Sequence, residues 1–187
     1  MECNSITLYG IQRDCSANMG GIQKVWMILK SDVTGSTITG QEDEDSTNDI
    51  VDGKMTALTL KSGAKVHAFN FRKGAASMTS NLQKDDTAGS YFWETDLVMN
   101  FQRMETAKRS AVMALTLAEA CAIVLDNNGI YWFLGYDEYL SATAGTGETG
   151  TAKTDANQYT VTLQDSSLSL PYEIDKTVAE GIVAQAE

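Results

Sequence analysis

From Tyr91 onward the chain alternates in character for a dozen residues. Tyr91, Trp93, Thr95, Leu97, Met99 and Phe101 take the odd positions, and Phe92, Glu94, Asp96, Val98, Asn100 and Gln102 the even ones. A period of two sends successive side chains to opposite faces of a sheet. The pattern therefore predicts one long strand. Its apolar row (Tyr91, Trp93, Leu97, Met99 and Phe101) should be buried, and its polar row (Glu94, Asp96 and Asn100) should face water. At about 3.3 Å per residue the strand spans roughly 36 Å, long for a small domain, and both of its edges need hydrogen-bonding partners.

The residues after this strand keep the same style. A helix is predicted from about Glu105 or Thr106 to Ala120, with Thr106 as N-cap. Its small apolar face is Ala107, Ala111, Ala114, Leu115, Ala118 and Ala122 at helical spacing. Two short strands, 121–125 and 130–136, then flank Asn128-Gly129, the favoured pair for a type I′ hairpin turn. Upstream, Ile22–Val33 contains the unbroken run Val25 to Leu29, which suits a strand buried on both faces. Lys54–Lys61 and Lys65–Arg72 read as a hairpin about Ser62-Gly63, and Ala75–Leu82 as a weaker strand. Downstream, Tyr159, Val161 and Leu163 alternate, as do Leu168, Leu170, Tyr172 and Ile174, with Asp165-Ser166-Ser167 as the turn between them. The fold class that results is mainly β: a sandwich or barrel with one flanking helix, a single domain over 1–187. Two long polar loops interrupt it at about 31–53 and 141–157, and a mobile tail is expected at about 176–187.

Composition narrows the function classes. The 187 residues carry 25 acidic and 14 basic side chains, a net charge of −11. Binding to nucleic-acid phosphates or to an anionic membrane needs the reverse balance. No apolar run approaches the length of a membrane span, and the first residues lack the basic and apolar regions of a signal peptide. Synthesis in a reducing cytoplasm is expected. Cys3, Cys15 and Cys121 fit no Cys-x-x-Cys spacing and read as free thiols, Cys121 as a buried hydrophobe.

Candidate chemistry is sparse. Glu42, Asp43, Glu44, Asp45, Asp49 and Asp52 form an acidic run. Clustered carboxylates could hold Ca²⁺, but the spacing is not that of an EF-hand loop, so a solvated loop is the preferred reading. Gly145-Thr146-Gly147-Glu148-Thr149-Gly150 matches the dinucleotide pattern in letters, yet it leads into a strand instead of a helix. His67 is the only histidine and shares a strand face with Phe69 and Phe71, which favours a structural role over catalysis. The pairs Glu94 and Asp96, and Asp137 and Glu138, could serve a glycosidase only beside an aromatic cleft. Tyr131, Trp132, Phe133, Tyr136 and Tyr139 read more simply as core or interface rings. Neither an enzyme nor a cofactor is expected.

The run Phe92-Trp93-Glu94-Thr95-Asp96-Leu97 into Arg103-Met104-Glu105, followed by the Asp126–Trp132 hairpin, resembles the tail-tube (major tail) proteins of bacteriophages and the tube proteins of contractile injection systems. The likeness covers roughly Ile22–Ile174 and lies in the order of elements and the style of sequence. It implies a structural virion protein whose subunits form hexameric rings. Inner strands join into one barrel, and rings stack into a tube. The implied partners are further copies of itself and other tail proteins, with DNA only as passing cargo. Glu94, Asp96 and Asn100 would then line a lumen, where negative charge gives DNA no cation to stick to. A connector, another virion position, or a monomeric carbohydrate-binding β-sandwich are the alternatives.

Overall fold

The computed structural model describes residues 11, 13, 15–40 and 53–186. In chain order the elements are β1 (Ile22–Leu29), a single 3-10 turn (Lys30–Asp32), β2 (Val33–Gly40), β3 (Gly53–Leu60), β4 (Val66–Asn70), β5 (Ala76–Asp85), β6 (Ser90–Gln102), α1 (Thr106–Leu117), β7 (Ala120–Asp126), β8 (Tyr131–Leu134), β9 (Ser141–Glu148), β10 (Gln158–Ser167), β11 (Tyr172–Ile174) and α2 (Lys176–Val183). They form two sheets, a seven-stranded one ordered β2-β3-β11-β8-β7-β1-β4 and a four-stranded one ordered β5-β6-β10-β9. The architecture is a mainly-β sandwich with a flanking helix, and the sheets do not close into a barrel.

The apolar run of β1 splits between two cores. Val25 and Met27 point between the sheets, with Ala122 and Val124 of β7 and with Leu97, Met99, Val161 and Leu163 of the four-stranded sheet. Trp26 and Ile28 point to the other face, with Cys121, Ile123, Tyr131, Phe133, Met55 and Ile174. A strand buried on both faces must be apolar at every position, which is why β1 and β7 show no alternation.

That second core is closed by α2. Ala179 and Ile182 are buried there, and the Asp175 carboxylate caps the helix by accepting the Thr177 amide at 2.9 Å. The segment expected to be a mobile tail is thus a packed helix, because its alternate turns carry Val178, Ala179, Ile182 and Val183 onto apolar sheet. α2 touches both β3 and β4, which lie five strand spacings apart, about 24 Å in a flat sheet. An eight-residue helix reaches both only if the sheet curls around it, and Val66 of β4 makes a bridge to Ala186 beyond the helix.

Other expectations are corrected. The first polar loop contains β2, and its acidic run, 42–52, lies outside the described residues. The second contains β9, so only 149–157 connects strands. β3 and β4 do not form a hairpin: β3 pairs with β2 and β11, and β4 pairs with β1, whose apolar faces demand a partner on each side. The turn placed at Asp165-Ser166-Ser167 is strand, since β10 stays in register with β6 as far as Ser167 opposite Trp93. The β7–β8 loop is not type I′. Only Gly129 has positive φ (83°), and its amide bonds Asp126 O at 3.2 Å, a three-residue loop built on a type I turn. α1 begins after Glu105, with no side-chain cap. Of its expected apolar face Leu115 is buried within the helix and Ala122 is buried as part of β7, while Ala107, Ala111 and Ala114 are exposed.

Candidate functional site

The four-stranded sheet carries the long alternating strand as β6, and its register assigns every side chain to a face. Val161, Leu163 and Asp165 of β10 lie opposite Met99, Leu97 and Thr95 of β6, and Ala76, Met78 and Ser80 of β5 lie opposite the same three. These form the inward face. Leu97 and Met99 are fully buried and Phe101 packs half-buried against the same core. Trp93 is half-buried, and Tyr91 is 52% exposed. Tyr91 departs from the expected buried row because the β5–β6 hairpin outruns the sandwich: β5 pairs on to Asp85 opposite Ser90, past the end of β10.

The outward face holds Glu94, Asp96 and Asn100, each half-buried by its neighbours across the strands. Glu94 Oε2 accepts from Gln83 Nε2 at 2.7 Å, Asp96 Oδ1 from Gln164 Nε2 at 2.9 Å, and Asn100 Oδ1 from Thr160 Oγ1 at 2.6 Å. Gln158 Nε2 donates to Glu148 Oε1 at 3.0 Å. The carboxylates are therefore tied by amides, with hydroxyls alongside, and by no ammonium or guanidinium. Across β5, β6, β10 and β9 the outward positions contain Asp85, Glu94, Asp96 and Glu148 and no Lys or Arg; Lys84, opposite Tyr91, belongs to the inward row.

This face is bounded by two open edges. Among the described residues β5 has a partner only in β6, and β9 only in β10. β9 reads Ser-Ala-Thr-Ala-Gly-Thr-Gly-Glu, with no proline and no cation. Edge strands of monomers are ordinarily blunted by such residues. β2, at the end of the larger sheet, carries no charged residue along its length. The glycine pattern of β9 is structural: Gly145 and Gly147 lie in the strand, and a Cβ on Gly147 would sit 3.1 Å from the Tyr159 ring and 3.3 Å from Met104. No helix follows, so the dinucleotide geometry is not built.

The remaining candidates are dispersed. His67 is exposed on β4, the last strand of the larger sheet. Trp132 is half-buried, its Nε1 donating to Asp126 Oδ2 at 3.3 Å. Among the described residues no three His, Cys, Asp or Glu side chains are grouped as metal ligands. Cys121 is buried and its thiol is pushed up to about 11 by desolvation, while Cys15 is exposed.

One polar cluster had no sequence motif. Asp165 is buried on the inward face, and its Oδ2 accepts the Gly135 amide at 2.6 Å, joining β10 to the loop after β8 in the other sheet. Lys30 Nζ donates to the Gly135 and Tyr136 carbonyls at 2.7 and 2.5 Å, and Asp137 Oδ2 accepts from Ser167 Oγ at 2.6 Å and Leu168 N at 3.0 Å. Burial raises the Asp165 pKa, and Asp137 and Glu138 add to the rise. The available signal was parity: Tyr159, Val161, Leu163 and Asp165 share a face.

No protein-family model, no curated protein and no solved structure matches this chain. Fold and face define a β-sandwich whose smaller sheet presents a cation-free polar surface between open edges.

Proposed function

We propose that the protein is a structural subunit of a tail-tube type assembly, in which copies join laterally through the four-stranded sheet to form rings and the rings stack into a conduit. The observation that carries this reading is the sheet itself: an outward face without Lys or Arg, flanked by edges β5 and β9 whose outer sides no described strand pairs. Pairing β5 of one copy with β9 of the next would satisfy both edges and make the polar face continuous around a lumen. Glu94, Asp96 and Asn100 would then face passing DNA, repelling phosphate while their cross-strand partners hold them flat. A virion location, and contact with other tail proteins, follow from the same reading.

The test is to place charge on the β9 edge. Ala144 and Thr146 are exposed, and the register puts them on the outward face. The double substitution Ala144→Lys, Thr146→Lys should leave a folded monomer by circular dichroism and sedimentation, with rings abolished. Rings of unchanged yield from that variant would rule out edge pairing through β9.

A further inference from the structure

The two ends of the four-stranded sheet are chemically opposite. At one end the β5–β6 hairpin runs about 10 Å past the end of β10, from Trp93 to Ser90, and the inward row continues along it. Leu82 is 48% and Tyr91 52% exposed, with Trp93 opposite Leu82. The hairpin ends in Asp85 and Asp86, with Lys84 of the inward row paired to Asp86 at 2.7 Å, and the exposed Asp137 and Glu138 lie at the same end, so this end is net acidic. At the other end, where β6 runs into α1, a hollow of about 200 Å³ is lined by Phe69, Phe101, Ala111 and Val112, with Lys108 at its side. Lys108 and Arg103 are paired with Glu105, while Arg72 and Lys73, just after β4, and Arg109, next to Lys108, are exposed and without an ion pair among the described residues. In a chain of net charge −11, this local excess of cations beside an apolar hollow is the complement of the acidic, apolar-lined hairpin.

We propose that this hairpin is a docking arm whose receptor is the hollow of a second copy. Leu82, Tyr91 and Trp93 supply the apolar contact, and Asp85 and Asp86 meet Arg72, Lys73 and Arg109. Because the two patches differ and lie at opposite ends of one sheet, the contact is heterologous: every copy carries both halves, and docking repeats in one direction. The arm sets the polarity of stacking within the assembly proposed above. It uses side chains at the sheet ends, whereas lateral pairing uses the backbone edges, so the two contacts fail separately. Apolar anchors supply the affinity, and the rim charges supply the pairing rule and its salt sensitivity.

The experiment compares assembly of wild type with three variants by sedimentation and electron microscopy. Leu82→Glu with Tyr91→Glu alters two exposed side chains and should leave single rings that no longer stack, with end-on association weakened at least about tenfold. Asp85→Lys with Asp86→Lys, and separately Arg72→Glu with Lys73→Glu, should each lose stacking alone. Mixed in equal amounts they should regain it, since each variant's arm then meets the other's receptor. Stacks of wild-type length from the arm variant, or no rescue in the mixture, would overturn the docking arm while leaving lateral rings intact. Wild type that forms rings but never stacks overturns it too, and wild type that stays monomeric overturns both contacts.

Discussion

Gly135 holds a position that no other residue fits. Its φ is 83°, and a Cβ there would lie 3.1 Å from Ala120 O and 3.2 Å from Cys121 Cα. Its amide also donates to Oδ2 of buried Asp165 at 2.6 Å. Gly135→Ala should cost roughly 2–3 kcal/mol through left-handed strain and backbone crowding, read as a lower urea midpoint. Asp165 gives the pH dependence. Its folded pKa is raised, so between the ordinary carboxylate value of 3.8 and the folded one the native state holds a proton that the unfolded chain has released. Stability from this group is therefore fully present at low pH and is lost as pH rises through that window. Asp165→Asn should remove this slope and match or exceed wild-type stability at neutral pH. The difference between the two proteins isolates Asp165 from Asp85 and Asp155, held below the usual range by backbone amides, and from Glu105, held there by Lys108. A steeper loss with rising pH in the variant would contradict the assignment.

At the scale of elements, α2 is the clearest test of how the larger sheet is held. Ile182 is 6% exposed beneath strands that curl around the helix, so Ile182→Ala should destabilise by roughly 2–4 kcal/mol in denaturant unfolding. A free tail would show no change. Periodicity made β6 and α1 readable in advance, and unbroken apolar runs did the same for β1 and, on either side of Asn128-Gly129, for the β7–β8 pair. It failed for β9, whose Gly, Ala and Thr side chains look like loop and become strand only by hydrogen bonding to β10. α2 was too short to register against a polar background. α1 misled in the other direction: its alanine stripe has helical spacing, but Met113 and Leu117 are 50% and 83% exposed and Leu115 alone is buried. Strand partners were the least legible, since nothing local tells β4 to pair with β1 instead of β3.

At the scale of the molecule, the polar row of β6 was legible from alternation, but its meaning was not. Only the register shows that the outward positions of all four strands exclude Lys and Arg, and that the strands flanking this face end in open edges. Those facts depend on residues far apart in the chain. They also set an electrostatic expectation. Glu94→Lys with Asp96→Lys should leave the fold intact, since both side chains are on the outward face, yet convert a cation-free surface into one that retains DNA. Retention measured by filter binding should appear in the variant and weaken steeply with added salt. DNA binding by wild type at ordinary salt would contradict the proposed lumen. The most direct measurement remains the state of the purified wild-type protein across a wide concentration range, followed by sedimentation and negative-stain imaging together. Closed rings that stack end to end as concentration rises are the expected result. A species that sediments at the mass of one 20.3 kDa chain throughout, with no ring in any field, would contradict the proposed assembly.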